Sequence, residues 1–574
     1  MSAVASIMQN GVISITSVQA YDMRNINQIP GAKRAFRAPG NTWTAPLTVD
    51  TCSALKHYGV LFTPDLETFY ERSERVRRYI EHQKISEHVD LLKPAPIRAP
   101  YSLYEHQKKA FNIALALRNT ALFMDMGTGK TISIVMVAGR RFLDGKIKRL
   151  LVIAPTSVCA VWKSEFEKFG DFPVRVGLLL GDRAQRMRTL RWLEAPAVSG
   201  TPEQLRVAVI NYESTWRLRN ERSKRDYLME YNADMVVCDE SQRIKSPSAK
   251  QSKACWALGA AATFRAILTG TPIQKDTRDL WSQYRFLDPL VFPISYGDFE
   301  RRYAIMGGFE GRQYLGARNM NELTQKAHSI AYRVAKEECL DLPPKTFEEV
   351  PVPLDDHSMR LYKQLARQSI AELEQCDVTA NHVLVRMLRL QQLTGGFLMG
   401  DDGVNRQINT VKLDALADIV DSLCLGEGKK LIIFTRFIAE MDAIQERVEA
   451  MLKTCGCDLV RVDGAVKASQ RGDIVKQFQT NPRCRVFLGE IDACAEGLTL
   501  TAAQTVVYYS VNWNYAKYQQ SADRIHRIGQ TGTCTYLHLI APGTIDAKIM
   551  RALKSKESLA KSVMDNWRSI LSDD

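Results

Sequence analysis

From about residue 100 onward, short apolar runs alternate with segments whose apolar residues recur at three- and four-residue spacing. ALFMDM (121–126), LLVIAP (150–155), RVAVINY (206–212), MVVCDE (235–240) and FRAILTG (264–270) read as strands buried on both faces. A second series follows in KKLIIFT (429–435), DLVRVDG (458–464), CRVFLGE (484–490), TVVYYSV (505–511) and TYLHLIAP (535–542). Strands of this kind separated by helices predict parallel sheets covered on both sides, with ligands bound beyond the carboxyl ends of the strands. Two similar α/β units are therefore expected.

Between the two series, MRLYKQLARQSIAELEQ and VLVRMLRLQQLTGGF carry helical periodicity, and the proline-rich DLPPKTFEEVPVP marks a crossover. The first hundred residues stand apart, with strand-like VISITSVQA, a loop rich in Gly and Pro, and the charged, helix-like LETFYERSERVRRYIEHQK. The expected organisation is an N-terminal accessory domain at 1–97 and a first lobe at 98–290. A helical insert and linker at 291–425, a second lobe at 426–545 and a C-terminal helix at 546–574 follow. No internal repeat or low-complexity tract interrupts the pattern.

A chain of 574 residues exceeds one hydrophobic core, which agrees with several domains. Lys and Arg exceed Asp and Glu by 13 (77 − 64), a balance suited to a polyanionic partner. The twelve cysteines include no C-x-x-C spacing, so neither a zinc cluster nor a disulfide framework is suggested, and reduced thiols are expected. MSAVASIMQNGVISI lacks a basic leader and no apolar stretch is long enough to span a bilayer, so a soluble cytoplasmic protein is expected.

Three stretches carry candidate chemistry. In ALFMDMGTGKT an apolar run stops at Gly127 and Gly129, which let the backbone turn so that its N–H groups and the positive end of the next helix face an anion. Lys130 adds a cation for terminal phosphates, and the Thr131 hydroxyl can ligate magnesium. The full phosphate-loop pattern would place glycine at Met124, and a glycine turn with a surface lysine is the plain alternative. Met235-Val-Val-Cys-Asp239-Glu240 is a second buried-type strand ending in two acids, suited to hold magnesium and orient an attacking water. In YQQSADRIHRIGQ, Arg524 and Arg527 lie three apart on one helical face; alone this reads as a salt-bridge face, but opposite a phosphate site the pair would serve as arginine fingers.

With these stretches in place, residues 100 to 565 resemble the Snf2 family of helicase-like ATPases in helicase superfamily 2. MDMGTGKT resembles the family's phosphate loop, APTSVCAVWKSEF its next block, VVCDESQRIK its magnesium block and LTGTPIQKDTRDLW the block coupling two lobes. LIIFTRF, VDGAVKASQRGDIVKQF, AEGLTLTAAQTVVYYSVNWN and QQSADRIHRIGQ follow in the family's order.

The resemblance implies two RecA-like lobes around ATP and Mg2+. Gln107 would read the adenine edge, while Met126, Gly127, Thr128, Gly129, Lys130 and Thr131 would cradle phosphate. Thr131, Asp239 and Glu240 would serve the metal, with Glu240 polarising water, and Gly497 would bring the second lobe's backbone to the nucleotide. Arg524 and Arg527 would act as fingers, with Gln242, Thr269, Thr271, Gln520 and Asp523 coupling the lobes. DNA would be gripped through its phosphates by Thr156, Lys163, Arg436, Trp513 and Asn514. Trp162 and Trp513 could stack on bases, although packing within their own lobes is the better reading for so large a side chain.

One departure matters. The magnesium block of the family reads Asp-Glu-Ala-His, whereas Asp239-Glu240 are followed here by Ser241-Gln242. Glutamine donates and accepts hydrogen bonds but does not titrate near neutrality, so hydrolysis should survive while its coupling to lobe closure changes.

VQAYDMRNINQIPGAKRAFRAPGNTWTAPLTVDTCSALKHYG is similar to the HARP-type module that precedes the motor in annealing helicases. Tyr21, Ile29, Pro30 and Trp43 fit that pattern, and Trp43 would offer a stacking surface to branched or partly single-stranded DNA. A small domain that merely packs on the motor is the other reading. GTIDAKIMRALKSKESLAKSVMD resembles the family's closing brace helix, with Ile545, Ile549, Leu553 and Leu559 at nearly helical spacing; a plain docking helix describes it equally well.

Translocation on duplex or forked DNA by a monomer, with remodelling or annealing, is what the resemblance implies, and a bacterial or phage origin is expected. A strand-separating helicase, a restriction-system motor and a lapsed ATPase acting as a nucleic-acid clamp remain as alternatives.

Overall fold

The computed structural model describes residues 3–8, 11–16, 18, 20–29, 31–35, 41–196, 200, 202–216, 226–274, 276–307, 313–339, 342–374, 380–400, 403–494, 498–511, 514–527, 529–551 and 553–554. Residues up to Ala335 form one compact unit, and a second begins at Lys336.

The first unit opens with a five-stranded sheet in the order β3-β4-β2-β1-β5, built from β1 (Val4–Ile7), β2 (Val12–Thr16), β3 (Lys33–Arg34), β4 (Trp43–Pro46) and β5 (Leu61–Phe62). Alternation along β4 turns Trp43 and Ala45 into the core with Ile13, Ile15 and Leu55. Trp43 is only 8% exposed, so the stacking surface expected of it is not presented; its area is spent on the core of this small domain. Pro30 lies outside the described residues. The charged helix Pro64–Ile85 follows, with proline at its first turn, and Lys84 near its end donates to the His328 carbonyl at 2.6 Å.

The first large sheet is wholly parallel, in the order β14-β6-β11-β10-β7-β9-β8. Its strands are β6 (Asn119–Met124), β7 (Arg149–Ala154), β8 (Val174–Leu178), β9 (Leu205–Asn211), β10 (Met235–Asp239), β11 (Phe264–Leu268) and, after the hairpin of β12 (Ala304–Gly307) and β13 (Gln313–Ala317), β14 (Ala331–Val334). All five apolar runs read from the sequence are strands here. Two edge strands, β8 and β14, were not legible as such. β14 falls within 291–425 and runs parallel to β6, pairing Val334 with Met124.

In the second unit six parallel strands lie in the order β15-β22-β21-β18-β20-β19. They are β15 (Lys345–Pro351), then, beyond the hairpin of β16 (Phe397–Met399) and β17 (Asn405–Gln407), β18 (Leu431–Thr435), β19 (Asp458–Val462), β20 (Cys484–Glu490), β21 (Thr505–Tyr508) and β22 (Cys534–Ile540). The proline-rich crossover KTFEEVP is itself β15. Proline is tolerated there because the strand lies on the sheet edge, where one side of its backbone needs no partner.

Helices Asp356–Glu374, Ala380–Thr394 and Val411–Val420 precede β18. Ile545, Ile549 and Leu553 pack into the core with Tyr536 and Ile540, while Leu559 lies outside the described residues. No described helix is long and apolar enough to cross a membrane.

Candidate functional site

At the carboxyl ends of the three adjacent strands β6, β11 and β10, the loops bearing the candidate chemistry of the first unit come together. Met124 is the last residue of β6 and buried, so the turn starts only after it; a strand residue occupies the position where the full pattern places glycine. Gly127 and Gly129 have φ of +83° and +90°, in the left-handed region that side chains avoid. A Cβ on Gly129 would run into the Gln107 amide and force it to move, so both the backbone conformation and the close approach of Gln107 favour glycine here.

The helix Lys130–Leu143 starts at this turn and directs its positive end at the loop. Lys130 is buried, and its Nζ donates to the carbonyls of Met124 (2.8 Å) and Asp125 (3.2 Å). Thr128 Oγ1 donates to the Asp125 carbonyl at 2.7 Å, which braces the turn from within. Met126 and Thr131 are half-buried on either side of it.

Gln107 sits in the third position of the helix Glu105–Ala116 and joins that helix to the loop. Its Oε1 accepts from Tyr104 N (3.2 Å), and its Nε2 donates to the Thr128 carbonyl (3.1 Å). His106 Nε2 lies 2.7 Å from the same carbonyl, which can only accept, so the ring nitrogen donates there; burial lowers the imidazole pKa. Only its place beside Gln107 in YEHQ could have singled out His106.

Asp239 ends the fully buried β10 and is held by three donors. Trp162 Nε1 donates to Oδ2 at 2.8 Å, Glu240 N donates to Oδ1 at 3.0 Å, and Tyr212 Oη donates to the backbone carbonyl at 2.7 Å. Burial, and next the charge of Glu240, push Asp239 up to about 7, against the pull of Trp162 and Lys130. The buried Asp239 and Glu240 side chains, with the Thr131 hydroxyl of the phosphate-type loop, make up an oxygen-donor set of the kind a hard divalent cation takes. Glu240 has φ +52°, a left-handed conformation rare for a residue with a side chain and often found where function constrains the backbone.

Gln242, the departure noted in the sequence, occupies the middle of a chain of hydrogen bonds. Its Nε2 donates to Glu240 Oε2 at 2.7 Å, and its Oε1 accepts from Thr269 Oγ1 at 2.7 Å; Thr269 Oγ1 in turn accepts from Thr271 N at 3.0 Å. Gly270 brings this loop against the phosphate loop, since a Cβ there would meet the Met124 carbonyl at 3.3 Å. Thr156 and Lys163 are exposed on the helix Thr156–Phe169, while Trp162 on the same helix is wholly buried.

In the second unit the helix Tyr515–Ala522 ends before the two arginines. They therefore do not share a helical face as expected; the Arg524 carbonyl accepts from Leu500 N at 3.0 Å instead of continuing the helix. Their guanidinium groups still converge on one segment. Arg524, fully buried, donates to the Gln520 (2.8 Å) and Leu498 (3.0 Å) carbonyls; Arg527 donates to the Asp523 carbonyl (3.0 Å) and Thr499 Oγ1 (3.1 Å).

Asp523 is buried beside Lys336 Nζ (2.6 Å) and Lys345 Nζ (3.4 Å). Burial alone would raise its pKa, but the two lysines outweigh it and hold the carboxyl below the ordinary range. Lys336 also donates to the His526 carbonyl at 3.0 Å and gave no signal in the sequence. Gln520 is buried, and Asn514 caps its helix by accepting from Lys517 N at 3.2 Å. The half-buried Arg436 donates its backbone N–H to Ser510 Oγ at 2.9 Å and its side chain to Gln391 Oε1. Gly497 and Trp513 lie outside the described residues.

A family model described as SNF2-related domain matches residues 77–395, and one described as helicase conserved C-terminal domain matches 411–529. An uncharacterized ATP-dependent helicase of Mycoplasma genitalium is 27% identical over 81% of this chain. The Homo sapiens DNA annealing helicase and endonuclease ZRANB3 is 28% identical over 83%. The chain spans 42% of the length of each. The SWI2/SNF2 ATPase core of Sulfolobus solfataricus in complex with dsDNA is 27% identical, with a TM-score of 0.38, covering 84% of this chain and 97% of that one.

Proposed function

Because this chain belongs to the SNF2-related family, we propose that it is a DNA-dependent ATPase that converts hydrolysis into movement on duplex or branched DNA, remodelling or annealing it. The observation that carries this reading is the hydrogen-bonded line from Glu240 through Gln242 to Thr269 and Thr271, set beside a phosphate-type loop. A clamp without turnover has no evident need for a buried, conformationally restricted glutamate tied to a second loop.

In this reading the loop from Met126 to Thr131 receives the phosphates of ATP, and Gln107 sets the loop's position from the adjacent helix. Thr131, Asp239 and Glu240 would hold Mg2+, which supplies charge neutralisation at the transferring phosphoryl group. Glu240, oriented by Gln242, accepts a hydrogen bond from the attacking water. Arg524 and Arg527 supply positive charge that develops its effect in the transition state. Thr156, Lys163, Arg436, Trp513 and Asn514 are the proposed contacts to DNA phosphates. ZRANB3, named as acting on DNA by annealing, is a relative whose substrate class agrees with this reading.

ATP turnover measured with duplex, forked and single-stranded DNA and with RNA tests it. Stimulation by duplex or forked DNA, lost in Lys130→Ala and Glu240→Gln, is expected. Turnover absent with every polymer would overturn the proposal. Displacement of a labelled strand would redirect it to a strand-separating helicase.

A further inference from the structure

Asp239 owes its orientation to three donors, and they come from different places. Glu240 N belongs to the same strand end, and Tyr212 Oη comes from the turn after β9. Trp162 Nε1 comes from the helix Thr156–Phe169, the helix that also exposes Thr156 and Lys163. Within that helix, then, one face is open to solvent and the opposite face binds the carboxylate directly.

Trp162 is rigidly seated. It is fully buried, its ring lies 6.3 Å from that of Phe166, and Phe166 in turn meets Phe172 edge-on at 6.3 Å. Phe172 presses on Gly139 of the helix Lys130–Leu143, where a Cβ would stand 2.2 Å from its ring. Interiors packed this way transmit small displacements rather than absorb them. A bond of 2.8 Å to Oδ2 is short and directional, so a shift or tilt of the helix must move or release the Asp239 carboxyl group.

We propose that Trp162 is a positioning residue through which nucleic acid, bound on the exposed face of the helix Thr156–Phe169, sets the orientation of the Asp239 carboxylate and so the hold of the site on Mg2+ and nucleotide. The inference rests on the functional reading above and adds to it a route, internal to the first unit, from polymer to metal ligand. Partners of metal ligands matter at the level of about 10- to 100-fold in metal affinity when removed.

The test is equilibrium binding of a fluorescent ADP to the full chain over a range of Mg2+ concentrations, with and without duplex DNA. Trp162→Phe, which keeps an aromatic side chain, though a smaller one, and removes the donor, is compared with Tyr212→Phe, which removes a donor to the same residue from outside the helix. Thermal melting checks that each variant is folded. In Trp162→Phe the Mg2+ needed for half-maximal ADP binding should rise about tenfold and the shift caused by DNA should vanish. In Tyr212→Phe the DNA-induced shift should persist. A DNA-induced shift that survives in Trp162→Phe, or one lost equally in both variants, overturns the proposal alone. A wild-type chain whose ADP binding ignores DNA overturns the proposal alone, and ATP turnover that also ignores every polymer overturns the functional reading with it.

Discussion

Gln242 holds Glu240 and Thr269 at once, donating to the carboxylate and accepting from the hydroxyl, each at 2.7 Å. All three side chains are buried, so none can exchange its partner for water at no cost. Gln242→Ala should therefore misorient Glu240 and lower DNA-stimulated turnover by about 10- to 100-fold while leaving ADP affinity little changed. Gln242→His should keep part of the activity and add an acid limb near the imidazole pKa of about 6.5, because a protonated ring can no longer accept from Thr269. Steady-state rates against pH decide this; an alanine variant as fast as the parent would remove Gln242 from the mechanism.

Arg524 and Arg527 should fail differently. Arg524 is wholly buried and serves two backbone carbonyls, so Arg524→Ala leaves acceptors unpaired and should cost about 2–3 kcal/mol in stability as well as turnover. Arg527 is half-buried and bonds the Thr499 hydroxyl, so Arg527→Ala should melt close to the parent yet lose stimulated turnover by about 10³-fold if it stabilises the transition state. Melting curves beside single-turnover rates separate the two. Identical losses of stability and rate in both variants would show that neither residue has a role beyond structure.

Lys336 and Asp523 form an ion pair 2% and 6% exposed at the side chain. Removing one partner of such a pair leaves a buried charge without compensation, at about 3–5 kcal/mol, whereas removing both as apolar residues is often nearly neutral. Lys336→Met and Asp523→Leu should each lower the denaturant midpoint of the full chain, and the double variant should recover much of the loss. Additive losses would mean that the pair is not coupled; Lys345, 3.4 Å from the same carboxylate, limits how complete the recovery can be.

The strands at the centre of each sheet were legible because burial on both faces leaves uninterrupted apolar runs, as in LLVIAP and KKLIIFT. The edge strands were not. β15 exposes Thr346, Phe347, Glu348 and Glu349, so its sequence carries no buried face to read. β14 is four residues long and acquires its partner only when the chain returns to β6.

Motif residues such as Lys130, Asp239 and Gln242 could be located because loop chemistry dictates local spacing. Trp162 could not be paired with Asp239, since 77 residues separate them and only the fold brings the indole to the carboxylate. The end of the helix before Arg524 was likewise hidden, because Leu500, not a local breaker, takes the carbonyl that would have continued it.

Glu440 gives the second unit a pH dependence of its own. The side chain is 1% exposed; Oε2 accepts from Ser510 Oγ and from the backbone N–H of Arg436 and Phe437, both at 3.4 Å, while Oε1 has no hydrogen-bond partner among the described residues. Burial pushes the carboxyl up to about 7, against the pull of Ser510 and Lys412. Since this is a raised pKa, the folded state favours the protonated acid. Its contribution is fully present below the ordinary value of 4.5 and is lost as pH climbs through about 7. The loss over that window is on the order of 2–3 kcal/mol. Glu440→Gln removes the ionisation but keeps the shape, so its stability relative to the parent should rise steadily from pH 5 to pH 8, whatever the offset at the acid end. Denaturant midpoints of both chains across that range measure the difference; a difference that stays flat with pH would show that Glu440 ionises in the fold as readily as it does in water.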